Sequence, residues 1–355
     1  AIKFKETLRE DDLFVDLPLS EYLNLNKAIK KDLKMYKVGV DFDGKELPID
    51  PYFLGIWLGD GDSKNFGITT QDSVVVDYMQ KESRKHDCYM RFSDKYHYHA
   101  SHIGKNNLKY NTNNLTLLLK ELNLDNNKHI PKIFKINSRE NRMRLLAGLI
   151  DSDGYLGNNC YEIIQKNKKL AEDITFLIRS LGFHCSMKET KKGCMHKGTY
   201  REGTYYRMNF SGFGMEDIPI LCPRKKAKER KQIKDPLVYG FTVTSVGIDD
   251  YYGFETDKNH RFLLGNFIVT HNCFGEGTMI KMYNGPDKAV EDVYTGDLVM
   301  GDDYTPRRVV SCHEGYDQLY KIKLKGGDFF VCNSRHNLCL KDSTLSNIEM
   351  SAENF

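Results

Sequence analysis

Apolar residues gather into two similar blocks in the first two thirds of the chain. Residues 53–61 read FLGIWLGDG, and the pattern that follows predicts a strand at Ile68–Gln71, a helix over Val74–His86 and a strand at Cys88–Ser93. Residues 145–154, LLAGLIDSDG, open the same series again. A strand at YEIIQ (161–165) comes next, then a helix with apolar positions Leu170, Ile174, Leu177, Ile178 and Leu181, and a strand at FHCSMKE (183–189). Asp60 and Asp153 stand 93 positions apart (153 − 60), and Gln71 and Gln165 keep nearly the same offset. Two copies of one α/β unit about a pseudo-twofold axis is the economical reading. Ahead of them, residues 1–45 read as a connector with a charged surface helix over Leu19–Leu33. The last third alternates short strands with Asn-Gly, Gly-Asp and Asp-Asp turns.

The opening helix of each copy sets small residues between large ones: Gly55 and Gly59 in the first, Ala147, Gly148 and Ser152 in the second. Small residues one turn apart predict two helices packed along that face. Each helix ends in Asp-Gly, at Asp60-Gly61 and Asp153-Gly154. Glycine there suits a left-handed helix stop, and an aspartate at a helix carboxyl end needs a cation to compensate the dipole. One such ending is an ordinary turn. Two in equivalent places point to paired carboxylates that can hold a hard cation for phosphate chemistry.

With 355 residues, two domains are expected. No apolar run is long enough to span a membrane and the opening AIKFKETLRE lacks a secretory core, which implies an intracellular protein without membrane attachment. Nine cysteines without CxxC pairs exclude a disulfide framework and a structural zinc site, so a functional cysteine acts as a free thiol. The net charge of +3 says little, but KETKK (188–192), RKKAKERK (224–231) and tyrosines 200, 205 and 206 interleaved with Arg201 and Arg207 suit a nucleic-acid backbone.

A different chemistry sits in the last third. Residues 251–273 end in His271-Asn272-Cys273. An asparagine can cyclise onto its own carbonyl carbon and cleave the next peptide bond, with His271 and His260 of the right type to manage protons. Cys273 is a nucleophile able to form thioesters. Further on, FFVCNSRHNLCL places Asn333 and His336 at N-x-x-H spacing inside a strand, where His336 can protonate the amide before Cys273.

LAGLIDSDG (146–154) and LGIWLGDG (54–61) resemble the two signature helices of LAGLIDADG homing endonucleases. The resemblance implies Asp60 and Asp153 as metal-binding catalytic acids, and a lysine per site at Lys128 and at Lys225 or Lys226. It also implies a saddle of two sheets in the major groove of double-stranded DNA, cutting both strands with Mg²⁺. CFGEGT (273–278), CNSRH (332–336) and YYGFETDKNHRFLLGNFIVTHN (251–272) resemble the splicing blocks of inteins, and are similar to the vacuolar-ATPase group to which the yeast intein belongs. On that likeness Cys273 is the acyl-shift nucleophile, Asn333 and His336 its helpers, His260 and His271 the assistants of cyclisation, and Asn272 the cyclising residue. No cofactor is implied for splicing. Many inteins carry an aspartate where this chain has Gly253, a departure the vacuolar-ATPase group shares.

The blocks stand in reverse order, which implies circular permutation, with a natural order of 273–355 followed by 1–272. The implied architecture is multidomain: a connector (1–45), an α/β endonuclease of two αββαββα-like halves (46–236), and an all-β horseshoe Hint domain split into its carboxyl-terminal part (237–272) and amino-terminal part (273–355). Implied partners are a DNA target site and the flanking host segments (exteins), with a monomeric protein. The alternatives are a hedgehog-type autoprocessing domain, to which a cyclising Asn272 is unnecessary, and a LAGLIDADG protein that binds DNA without cutting or acts as an RNA maturase.

Overall fold

The computed structural model describes residues 14–104, 113–196, 199–271, 273–284 and 286–342. Asn272, the terminal segments MSAENF and AIKFK, and the side chain of Arg201 lie outside the described residues. The chain divides into two compact units, Ala1–Val40 with Lys231–Phe355, and Asp41–Arg230.

The first unit opens with β1 (Phe14–Pro18), α1 (Leu19–Asn24), α2 (Lys27–Asp32) and β2 (Leu33–Tyr36). In place of one surface helix over Leu19–Leu33 there are two short ones, because Asn26 caps the second by accepting the Ile29 N–H at 2.9 Å. Leu19 and Tyr22 of α1 are buried, and the flanking strands belong to a sheet of the same unit.

The second unit begins with α3 (Pro51–Asp60), whose start is set by Pro51 and by Asp50 accepting the Phe53 N–H at 3.0 Å. A three-stranded sheet follows, made of β3 (Gly67–Thr69), β4 (Cys88–Asp94) and β5 (His97–His102) with β5 central, together with α4 (Ser73–Arg84) and α5 (Asn114–Glu121). After α6 (Lys132–Lys135), the second block supplies α7 (Arg139–Asp153). Next come β6 (Tyr155–Gly157), β7 (Cys160–Gln165), α8 (Lys168–Ser180), β8 (His184–His196) and β9 (Thr199–Ser211), with the strands in order β6-β7-β9-β8. Helices α3 and α7 are buried almost throughout and sit in one core with residues of both blocks.

The chain then returns to the first unit. β10 (Val238–Tyr239) joins a sheet of order β1-β20-β2-β10, where β20 is Asn337–Asp342. The long β11 (Phe241–Thr256) is followed by the small ladder of β12 (Phe262–Leu263) with β13 (Val269–Thr270). β14 (Phe274–Gly275) precedes a second small ladder of β15 (Met279–Ile280) with β16 (Lys288–Ala289). β17 (Leu298–Met300), the long β18 (Pro306–Leu324) and β19 (Phe329–Asn333) complete a five-stranded sheet of order β11-β14-β19-β18-β17. β11 also pairs directly with β18, antiparallel, from Phe241 opposite Leu324 to Thr256 opposite Val309. Phe254, Phe262, Phe274, Ile322 and Phe330 pack in the core of this unit.

Two local expectations give way. Asn333 ends β19 and His336 stands in the turn before β20, so the N-x-x-H spacing spans a turn between strands of two different sheets and is not inside a strand. Gly61 and Gly154 are extended, with φ of −85° and −79°, and neither is left-handed. Glycine is needed there for space: a Cβ would stand 2.2 Å from the Trp57 carbonyl oxygen at 61 and 2.6 Å from that of Ile150 at 154.

Candidate functional sites

In the second unit, α3 and α7 touch backbone to backbone. A Cβ on Gly55 would meet the Leu145 carbonyl oxygen at 2.4 Å, and one on Gly148 would meet that of Tyr52 at 2.2 Å. This approach brings the two helix ends together. A Cβ on Gly59 would stand 2.1 Å from Ser152 Oγ and 3.2 Å from Asp153 Oδ2. Burial, then the charge of Asp153, pushes the Asp60 carboxyl up to about 6, against the opposing pull of Lys225 and Lys128. Burial likewise raises Asp153, although Gln165 donates a short hydrogen bond to its Oδ2 and both lysines favour its charge.

The cation demanded by each aspartate-bearing helix end is a lysine. Lys128 Nζ donates to the carbonyls of Trp57 (2.9 Å), Leu58 (3.1 Å) and Gly61 (2.6 Å), and lies 4.9 Å from the Trp57 ring centre. Lys225 Nζ donates to those of Ile150 (2.9 Å), Asp151 (2.8 Å) and Ser152 (3.0 Å). Lys226 is exposed, so of the two candidates Lys225 occupies the helix end. Burial lowers both ammonium groups, Lys128 to about 8. Two carboxylates held close, each raised by burial, with their lysines bonded to backbone carbonyls, form a donor set that fits a divalent cation. Asp62, His97 and His99 also bring three ligand atoms within 4.8 Å of one another.

The basic run at 224–231 is only partly free to face a phosphate backbone. Arg224 pairs with Asp72 and Lys225 is used at the helix end, whereas Lys226 and Lys228 are exposed. On the β8–β9 ladder Lys188 lies opposite Arg207, and Tyr200 is exposed.

In the first unit, Cys273 has φ +76°, a strained backbone for a residue with a side chain. Its Sγ lies 3.2 Å from His313 Nε2, and burial pushes the thiol up to about 11. His336 is fully buried, with Nδ1 3.2 Å from the Cys273 carbonyl oxygen and Nε2 2.9 Å from Thr270 Oγ1. A carbonyl only accepts, so Nδ1 carries the proton. The ring therefore reaches the carbonyl of Cys273, on the far side of that residue from the amide expected. Leu19 and Ser20 donate their N–H groups to the carbonyls of His336 and Ser334, pinning this turn. Asn333 is buried, and its Oδ1 has no hydrogen-bond partner among the described residues. His271 is buried, with Nε2 3.2 Å from Asp16 Oδ2, which also accepts from Arg261 at 2.7 Å. Burial opposes ionisation of Asp16, but the bonds to His271 and Arg261 outweigh it and hold the carboxyl near 2. His260 sits on an exposed turn at φ +60° and meets none of these side chains.

Comparison with known proteins separates the same two parts. A homing endonuclease family matches residues 129–234, and the family described as Hom_end-associated Hint matches residues 273–354. The chain belongs to the inteins that carry a homing endonuclease. Among curated proteins the intein is similar to the replicative DNA helicase DnaB of Mycobacterium intracellulare, 31% identical over 147 residues (41% of this chain, 21% of that protein). It is 24% identical over 258 residues to the homothallic switching endonuclease of Saccharomyces cerevisiae, strain S288c (63% of this chain, 44% of that protein). It is 36% identical over 91 residues to the catalytic subunit of the V-type proton ATPase of Candida tropicalis (23% of this chain, 8% of that protein). The intein thus spans less than half the length of each of these relatives. Among its described residues no helix is long and apolar enough to cross a membrane.

Several groups of the intein escape a reading of its sequence. Gln165 is visible there only as a repeat-matched position, yet it bonds the second aspartate. His313 and Asp16 belong to no block, Thr270 and Arg261 lie within the 251–272 block without any sign there of their partners, and only the missing side chain at Gly253 hints at His313. A Cβ at 253 would stand 2.5 Å from His313 Nε2 and 3.1 Å from Cys273 Sγ.

Proposed function

We propose that this chain is a bifunctional intein, self-excising through Cys273 and Asn272 and cutting both strands of a DNA site through Asp60 and Asp153. One observation carries the endonuclease half. Two equivalent helix ends each present a half-buried aspartate with a lysine bonded to the last carbonyls, so the sites are built as a pair. Asp60 and Asp153 would hold Mg²⁺, which when bound supplies charge neutralisation and polarisation at a phosphodiester. Lys128 and Lys225 neutralise the helix ends that carry the acids, and Gln165 orients Asp153. Two αββαββα-like halves would lay their sheets along the major groove of duplex DNA; the second block, α7-β6-β7-α8-β8-β9, supports this reading and the first, α3-β3-α4-β4-β5-α5, is one strand shorter. The protein acts as a monomer inside the cell.

For splicing, Cys273 acts as nucleophile. His336 polarises the carbonyl of Cys273, Asn333 offers its unpartnered oxygen to a donor formed in the reaction, and His271 serves cyclisation of Asn272 with Asp16 behind it. Beside the exposed His260, Arg261 makes the contact to Asp16. Antiparallel pairing of β1 with β20 supports the permuted order, since strands brought close in the order 273–355 then 1–272 pair as neighbours. The horseshoe Hint domain then comprises residues 237–355 together with β1 and β2 of the stretch expected as a connector, whose strands and apolar residues join its sheet and core, with exteins as the natural flanks.

Sequencing of ends released from a randomised duplex library with Mg²⁺ tests the first activity. The wild type enriches one site, whereas D60A and D153A release none and still retain that site in gel shifts. Undiminished cutting by both variants removes these residues from the mechanism. Intact-mass measurement tests the second: cyclisation yields residues 1–272 and 273–355, with masses that sum to the parent's before any water adds. An unchanged mass after incubation excludes it under those conditions.

A further inference from the structure

The Cys273 thiol is held largely protonated near neutral pH by burial, so its attack on a carbonyl needs a group that takes the proton. His336 is committed at both ring nitrogens, donating from Nδ1 to the Cys273 carbonyl and bonded at Nε2 to Thr270. The imidazole within reach of Sγ is His313, with Nε2 at 3.2 Å.

This contact is made across a strand. His313 on β18 lies opposite Gly253 on β11, and Tyr252 of β11 lies opposite Phe274 of β14, next to Cys273. With no side chain at 253, the imidazole and the thiol meet above the backbone of the middle strand. Tyr251 lies edge-on to the His313 ring at 6.4 Å between ring centres, and the ring is otherwise exposed, so its proton exchanges with water. The charged groups acting on the thiol are Arg335, which favours its ionised form, and Glu255 and Asp317, which oppose it.

We infer that His313 is the general base that accepts the Cys273 thiol proton, a further catalytic residue whose ring uses the space left open by the absence of a side chain at Gly253. The Sγ–H bond breaks with its proton passing to Nε2, and Sγ forms a C–S bond to the carbonyl carbon of the preceding residue. The C–N bond to the Cys273 nitrogen then breaks, and that nitrogen takes up the proton from His313, directly or through water. Nothing is gained or lost overall, and His313 returns neutral.

This inference rests on the splicing reading, and two measurements on the full chain separate their failures. The first is alkylation of Cys273 by iodoacetamide across neutral pH, followed by peptide mass spectrometry so that the exposed Cys160 and Cys312 are counted apart. His313→Gln keeps an acceptor of similar reach but takes no proton, and is expected to slow labelling at least ~10-fold at pH 7. Gly253→Ala, which leaves both residues present but separates them, is expected to do the same. The second is dithiothreitol-induced cleavage before Cys273. His313→Gln is expected to slow it by at least ~10-fold with a rate that climbs with hydroxide, and added imidazole to restore His313→Ala. Equal labelling of wild type and His313→Gln overturns the inference, whatever cleavage shows. Labelling that depends on His313 in a chain that dithiothreitol never cleaves retires the splicing reading and leaves the proton transfer standing.

Discussion

Replacing Asp60 by asparagine should stabilise the second unit while abolishing its cutting. The carboxyl is raised from an ordinary 3.8 to about 6 by burial and by Asp153. An acid raised in the folded state costs nothing below its unfolded value, where both states are protonated. Between pH 3.8 and about 6 the unfolded chain ionises first and folded stability falls; above that the penalty is constant. The full shift converts to about 3 kcal/mol, and screening at a partly open site trims this to about 1–2 kcal/mol. Trp57, the only tryptophan, lies on α3 one turn before Asp60, so its fluorescence during urea unfolding reports this unit. Without divalent cations, D60N should unfold at higher urea than wild type at pH 7.5 and at the same urea at about pH 3.5. Adding Mg²⁺ should close the gap by stabilising wild type alone. A gain independent of pH, or a loss at pH 7.5, would falsify the account of Asp60 as a carboxylate destabilised by burial and repulsion.

Two further outcomes follow from geometry. Gly148→Ala puts a Cβ 2.2 Å from the Tyr52 carbonyl oxygen and 2.9 Å from the Ile56 nitrogen. Backbone cannot yield as a side chain does, so a loss of about 3 kcal/mol or more is expected from the Trp57 urea midpoint. Asp16→Asn removes a carboxylate held near 2, whose contribution is full above pH 3.8 and is lost as pH falls toward 2. Calorimetry should find the first unit weaker by about 1 kcal/mol at pH 7, after screening, with the difference vanishing near pH 2.

The two copies of the α/β unit were legible because helix packing and a paired site impose the same residues twice. Gly55 and Gly148 fall on facing turns as their spacing implies, and Asp60 and Asp153 at matching ends. The lysines were legible only as nearby basic residues, since Lys128 and Lys225 reach helix ends far from them in sequence. Choosing Lys225 over Lys226 needed the 3₁₀ turn at Pro223–Lys225 that aims it. In the first unit the blocks announce Cys273, Asn333 and His336. They do not announce the partners, because His313 meets Cys273 through a strand pairing that no local pattern encodes. His260 illustrates the converse: a residue of suitable type inside a recognised block, set by a left-handed turn on the surface.

Glycine does the same physical job in both units. At 55 and 148 the missing Cβ lets two helices close until their terminal acids sit side by side; at 253 it lets an imidazole and a thiol from separated strands touch. In neither case is an unusual φ required: Gly55 and Gly148 are helical and Gly253 lies within β11. The strained backbone is instead at Cys273, whose φ of +76° no side chain favours. Strain at a nucleophile is held only while the surroundings over-determine it, and here His336 on its carbonyl and His313 on its thiol grip the residue from two sides. Loosening either grip should therefore relax Cys273 toward an ordinary conformation, so that the chemistry and the geometry of the thiol fail together.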